Sequence, residues 1–224
     1  MAVLRWRFGS PVAPLRAILD RGGVLAIPTE SSYGLAADPW NPEGIARIYR
    51  LKGREGGKAL PLVAADLDQV AALGVDPESP ELARLARVWP APLSAVLEVT
   101  GERAAADLVA AADLVAAADL VAAAPDGTVA VRIPAHPGLR GLLAALGRPL
   151  TATSANRSGE PPVLDPDAAA RLLEGEDAAL VDGGTLPGGP PSTLVRFCAG
   201  RPEVLREGAV AAAEARRLLT ELTE

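Results

Sequence analysis

A single α/β domain, with helices flanking a mixed β-sheet, is the fold class this sequence predicts. Three observations carry the prediction. Helix-period and strand-like apolar segments alternate along most of the chain, the pattern of layered α/β domains. The 224 residues suit one large domain, and 49% of them are apolar, enough to build a sizeable core and to exclude disorder as the main state. That core must be aliphatic, because the aromatic residues number only three Trp, two Tyr and two Phe.

Leu15 to Arg21 reads as a short helix ended by Gly22 and Gly23. Val24 to Ile27 is an apolar strand stopped by Pro28, and Thr29-Glu30-Ser31-Ser32-Tyr33-Gly34 reads as a polar loop. Asn41 as N-cap, Pro42 at the first helical position, and Ile45, Ile48 and Leu51 on one face define the next helix. Gly53 ends it, which leaves Lys52 and Arg54 at its C-terminal edge. A buried strand is expected over Ala59 to Ala64, a helix over Asp66 to Leu73 closed by Gly74, and a second helix over Pro80 to Trp89 capped by Ser79. Strands over Ser94 to Thr100 and Thr128 to Ile133 follow, then a helix over Pro137 to Leu146 and a strand over Leu150 to Thr153. Asp165 caps a helix starting at Pro166, and Ala178 to Val181, Thr193 to Phe197 and Glu203 to Arg206 are strand-like. From Gly208 onward the chain reads as an Ala-rich helix. One mixed sheet is expected to organise these elements.

One segment stands apart. DLVAAA occurs three times in tandem from Asp107 to Ala124. At about 100° per residue each copy rotates by roughly 120°, so Leu108, Leu114 and Leu120 cannot share a helical face. The array reads as a recent tandem expansion in a tolerant loop, with a partner-binding helix as the alternative.

Composition removes several function classes. The formal net charge is -6, unlike the basic balance of a general nucleic-acid coat protein, although a local basic groove is compatible with it. A single cysteine, Cys198, and a single histidine, His136, leave no intrachain disulfide, no cysteine zinc site and no His-pair metal motif. No apolar run approaches the ~20 residues that span a bilayer, and MAVLRWRFGSP lacks a signal-peptide core. A cytoplasmic location without membrane association is expected.

Three cations, Lys52, Arg54 and Lys58, fall among glycines in LKGREGGKALPL. Glycines let backbone approach a phosphate, Lys supplies a point charge and Arg a fork; a solvated turn after a helix is the alternative reading. The segment is not a Walker A loop, since Lys52 stands where that motif needs Gly and Ala59 where it needs Ser or Thr. LTATSANRSGEPP ends a strand in Ser154, Asn156 and Ser158, side chains able to bond phosphate or ribose oxygens but equally suited to a turn. Arg132, at the end of a buried strand, requires an anionic partner, either a protein carboxylate or one of a ligand. His136 has no accompanying serine or cysteine motif, so a structural role is expected and triad chemistry is not.

In this order the segments resemble the YrdC-domain family. IPTESSYGL (Ile27 to Leu35) is similar to its PTET-x-YGL segment, Lys52-Gly53-Arg54 to K-x-R, Ser154-Ala155-Asn156 to S-x-N, RVWPAPLSAVL to W-P-G-P-x-T, TVAVRIPAHP to the strand with the ligand Arg, and PPSTLV to S-T-[LIV]-V. Glu55, Ser31, Ala152, Pro61 and the DLVAAA array depart from the pattern. The resemblance runs from about Leu15 to Arg206, and the chain resembles the short, single-domain form. It implies a YrdC-like domain over 1–207, interrupted by the repeat at 107–124 and followed by a helix at 208–224, with a twisted mixed sheet and a positively lined cleft.

The resemblance also implies an activity, synthesis of threonylcarbamoyl-AMP from L-threonine, bicarbonate and ATP with release of pyrophosphate. The product would serve threonylcarbamoyladenosine modification of tRNA, with tRNA and other tRNA-modification proteins as partners. Lys52 and Arg54 would be catalytic and hold the triphosphate; Thr128, Ser154, Asn156, Pro162 and Arg206 would line the nucleotide site. Thr29, Lys58, Arg132 and Ser192 would bind threonine. Mg²⁺ would arrive with ATP, with no protein side chain assigned to it. The alternatives are an RNA-binding or ribosome-associated module without this activity, and a paralogue acting on another carbamoyl adenylate. Exposed cleft cations add little stability, so Lys52→Ala and Arg54→Ala are expected to leave the thermal melt nearly unchanged.

Overall fold

The computed structural model describes residues 3–53, 59–100 and 127–220. Its strands are β1 (Leu4–Arg7), β2 (Val24–Pro28), β3 (Tyr33–Ala36), β4 (Leu62–Val63), β5 (Leu93–Glu98), β6 (Thr128–Arg132), β7 (Leu150–Thr151), β8 (Thr153–Ser154), β9 (Ala178–Asp182), β10 (Thr193–Cys198) and β11 (Arg201–Arg206). The helices are α1 (Ala13–Asp20), α2 (Pro42–Lys52), α3 (Leu67–Ala72), α4 (Pro80–Val88), α5 (Pro137–Leu146), α6 (Pro166–Leu172) and α7 (Ala212–Thr220).

The α/β class holds, but the strands divide into two mixed sheets where the sequence suggests one. The first has the order β1-β9-β2-β3-β8 and the second β11-β10-β5-β6-β4-β7. The division falls inside the apolar stretch that reads as one strand over Leu150 to Thr153. Leu150 and Thr151 pair with β4 in the second sheet, whereas Thr153 and Ser154 pair with β3 in the first. Ala152 lies between them and donates its N–H to Pro61 O at 2.7 Å. Thr151 is fully buried, its N–H donating to Ala37 O and its Oγ1 accepting from Ala37 N, each at 2.9 Å. This seam joins the sheets directly ahead of the Ser154-Ala155-Asn156 turn.

Local signals set most elements. Asn41 accepts from Glu43 N and Gly44 N, Pro42 opens α2, and Gly53 closes it in the left-handed region at φ 59. Ser79 and Asp165 cap α4 and α6 as expected, and Asp66 caps α3. His136 caps α5, its Nδ1 accepting from Leu139 N at 3.0 Å. Two strands were not legible. β1 buries only Trp6 and lies at a sheet edge, so it shows no alternation, and β3 follows a loop whose polar run extends to Ser32. β4 is two residues long, because Pro61 lacks the N–H needed to extend the ladder.

The core has two parts. One packs Leu15, Leu19, Leu142 and Leu143 of α1 and α5 against Leu25, Ile27 and Val181 of the first sheet. The other joins Ile45 and Ile48 of α2, Leu85 of α4, and Ala215 and Leu219 of α7 to Leu93, Ala95, Val129, Val131 and Val195 of the second sheet. The segment after Gly208 thus packs into the main core. Thr128, Ala130 and Arg132 alternate with buried Val129 and Val131, and they present a half-exposed face.

Candidate functional site

Three bonded clusters gather most of the expected site residues. The first forms where α2 ends against the seam. Lys52 is only 4% exposed, and its Nζ donates to Ser154 O at 2.7 Å, to Asn156 O at 3.3 Å and to Asn156 Oδ1 at 3.0 Å. Those three bonds match the donor capacity of an ammonium. Ser154 Oγ donates to Asn156 Oδ1 at 2.6 Å, Asn156 Nδ2 donates to Glu160 O, and Ser158 N donates to Lys52 O at 2.9 Å. Lys52 therefore organises the turn. That corrects the expectation that it is an exposed cation whose loss leaves the melt unchanged.

The second cluster belongs to the β2–β3 loop. Thr29 Oγ1 donates to Ser32 O at 2.7 Å and accepts from the N–H groups of Ser31 and Ser32 at 3.4 Å, so the hydroxyl closes its own loop. Arg132 finds its anion in the protein: Nη1 donates to Glu30 Oε2 at 2.7 Å, and Ala135 N donates to Glu30 Oε1 at 2.6 Å. The third cluster joins Ser94 Oγ to Ser192 Oγ at 2.9 Å, with Arg206 Nη2 donating to Ser192 O at 2.8 Å.

Strand register connects the clusters. Ala95 opposes Val131 in the antiparallel β5–β6 pair, so Ser94 and Arg132 follow as the next opposed positions, and Leu194 stands opposite Ser94 in β10. Arg132, Ser94, Ser192 and Arg206 thus share one end of the second sheet. Gly34 of β3 opposes Ser154, Ala155 N donates to Tyr33 O at 2.8 Å, and Tyr33 N donates to Val163 O at 2.9 Å. The β2–β3 loop therefore runs between the Lys52 turn and Arg132. Pro162 is exposed and adjoins Val163.

Thr128 begins β6 and Arg132 ends it, about 13 Å apart at strand rise but on the same face. Thr128 is therefore not gathered with Arg132. Arg54, Lys58 and the DLVAAA array lie outside the described residues. Glu30 and Ser94 belong to no role the sequence assigned. Their one advance signal was position: Glu30 sits inside the PTES segment, and Ser94 ends the WPAPLS segment.

The Glu30 carboxyl is held below its ordinary range. Burial pushes it up, but the charge and hydrogen bond of Arg132, with backbone N–H bonds including that of Ala135, outweigh the burial. A carboxyl depressed on folding stabilises fully above its unfolded value of about 4.3 and loses that share as pH falls through the native value. Glu30→Gln should therefore show a smaller drop in melting temperature on acidification below pH ~4.3. Parallel melt-versus-pH curves for the two proteins would refute this.

The Sua5/yciO/yrdC family model, described as telomere recombination, matches residues 17–208. A threonylcarbamoyl-AMP synthase of Chromohalobacter salexigens is 36% identical over 183 residues, covering 82% of this chain and 90% of that protein. One of Thiobacillus denitrificans is 37% identical over 188 residues, covering 84% and 91%. The structure of P. abyssi Sua5 complexed with L-threonine superposes with a TM-score of 0.74 at 27% identity over 99% of this chain, which spans 62% of that protein. E. coli YciO, at 24% identity and a TM-score of 0.72 over 93% of this chain and 97% of its own, shares the fold. With the family model matching residues 17–208 and these two synthases matching over nine-tenths of their own length, the chain belongs to the Sua5/YciO/YrdC family.

Proposed function

We propose that this chain is a threonylcarbamoyl-AMP synthase, using L-threonine, bicarbonate and ATP. The observation that carries the reading is the junction of Lys52 with the Ser154–Asn156 turn, reached through the β2–β3 loop from the Arg132 end of the second sheet. It brings the Lys52 ammonium and the Ser154 and Asn156 side chains to one turn, and the Glu30–Arg132 pair lies on the other side of that loop. Relatives bearing that enzyme name match over nine-tenths of their own length.

In the proposed chemistry the threonine amine takes up bicarbonate with loss of water, giving a carbamate. A carbamate oxygen then attacks the α-phosphorus of ATP, the bond from that phosphorus to the bridging oxygen breaks, and pyrophosphate leaves with the electron pair. The carbamate is already anionic, so the step needs no strong general base. Its difficulty is crowded negative charge, which fixed cations and oriented donors relieve. Arg132 and Ser192 would receive the threonine carboxylate, with Thr29 and Lys58 completing the amino-acid site. Lys52 and Arg54, with Thr128, Ser154, Asn156, Pro162 and Arg206, would meet the nucleotide. Because the Lys52 donors already serve the turn, Lys52 would act on phosphate chiefly through its charge and through the shape it imposes on that turn.

Mg²⁺ would enter bound to ATP. Among the described residues no group of three or more His, Cys, Asp or Glu side chains could hold an ion; the phosphates would hold the metal. The product would pass to tRNA-modification proteins. Purified protein should release pyrophosphate only when ATP, Mg²⁺, threonine and bicarbonate are all present. Pyrophosphate formation indifferent to threonine would overturn the assignment.

A further inference from the structure

We propose that Glu30 is the positioning residue of Arg132, locking one terminal nitrogen of the guanidinium so that its remaining donors face the threonine carboxylate. The inference rests on the synthase reading and adds to it a residue that never touches the reacting atoms. Both Glu30 oxygens are anchored, Oε2 by Arg132 Nη1 at 2.7 Å and Oε1 by Ala135 N at 2.6 Å. Ala135 lies three residues beyond Arg132 on the same chain segment, so Glu30 is tied to the strand end that bears the guanidinium. Rotating it away would break two charge-assisted bonds at once.

Arg132 Nε and Nη2 make no hydrogen bond to a described residue, and neither is a buried unsatisfied atom. The fork therefore keeps an open edge, and the β5–β6 register puts Arg132 on the strand face that carries Ser94, whose hydroxyl bonds that of Ser192. Arg side chains lose rotamer entropy when fixed. A guanidinium already fixed by Glu30 has met that cost before ligand arrives, the usual gain from preorganisation. The geometry also explains why an acid sits where substrate is anionic: its charge is committed to Arg132 and Ala135 and does not face the ligand alone.

Glu30→Gln keeps the shape and removes the charge. Steady-state pyrophosphate release should show KM for threonine raised about tenfold, kcat within threefold of wild type and KM for ATP unchanged. The melt shift induced by threonine should shrink, and the shift induced by ATP should persist. Glu30→Ala carries the same expectation and serves if the Gln variant does not fold. Unchanged threonine KM in a folded variant, or threonine and ATP KM rising together, would overturn the positioning role while leaving the synthase reading intact. A wild-type protein whose turnover and melt ignore threonine would instead overturn the synthase reading, and this inference with it.

Discussion

Lys52→Ala should both stop turnover and weaken the fold. The ammonium is 4% exposed and satisfies Ser154 O, Asn156 O and Asn156 Oδ1. Removing it strips three acceptors of their donor at a buried position, and hydrogen bonds from charged donors are the strong class. The expected loss is about 2–4 kcal/mol, or a melting temperature lower by roughly 5–15 °C for a domain of this size. Turnover should fall at least about a hundredfold, the scale of losing one preorganised electrostatic group, because both the charge and the turn that carries Ser154 and Asn156 are disturbed. Lys52→Met separates the contributions. It refills the space of the aliphatic stem without restoring the donors, so it should melt close to Lys52→Ala. Wild-type melting in both variants would show that the ammonium does not hold the turn; wild-type turnover would remove the anion cradle from the mechanism.

Gly208→Ala should be at least as damaging to stability, although Gly208 lies outside every segment that looked chemical. A methyl group there would sit 2.1 Å from Pro191 O and 2.7 Å from the Ser192 carbonyl carbon, and backbone cannot rotate aside as a flexible side chain can. The same stretch is laced to Thr193: Gly208 N and Val210 N donate to Thr193 Oγ1 at 2.9 and 3.1 Å, and Ala209 N donates to Pro191 O at 2.8 Å. The overlap should cost about 3 kcal/mol or more, and relief by backbone movement would displace Ser192 from Ser94. Weaker threonine binding should accompany the lower melt. Gly141→Ala is the control, since nothing lies within 4 Å of its added carbon and it occupies the interior of α5; it should be neutral or stabilising by up to about 1 kcal/mol. Equal melts for the two alanine variants would refute the packing argument.

Local signals make much of this protein legible in its sequence. Asn41, Pro42 and Gly53 set α2 to the residue because capping and φ are decided within a few bonds. The end of that helix brings Lys52 against the Ser154–Asn156 turn. Arg132 was readable as a charge in need of an anion, because a guanidinium at the end of a buried strand cannot stand alone. Which anion it would find was not readable. Glu30 is 102 residues away, and the sequence offered a protein carboxylate and a ligand carboxylate on equal terms.

The amino-acid order by itself determined the α/β class, the presence of each helix and the segments that identify the family, since each depends on periodicity, capping and turn chemistry within short stretches. Only the tertiary structure decided that the strands form two sheets, that Ala152 crosses between them, and that Lys52 is buried against Ser154 and Asn156. Those outcomes depend on strand pairing and burial between residues far apart along the chain. No local pattern encodes which distant backbone will accept a given donor.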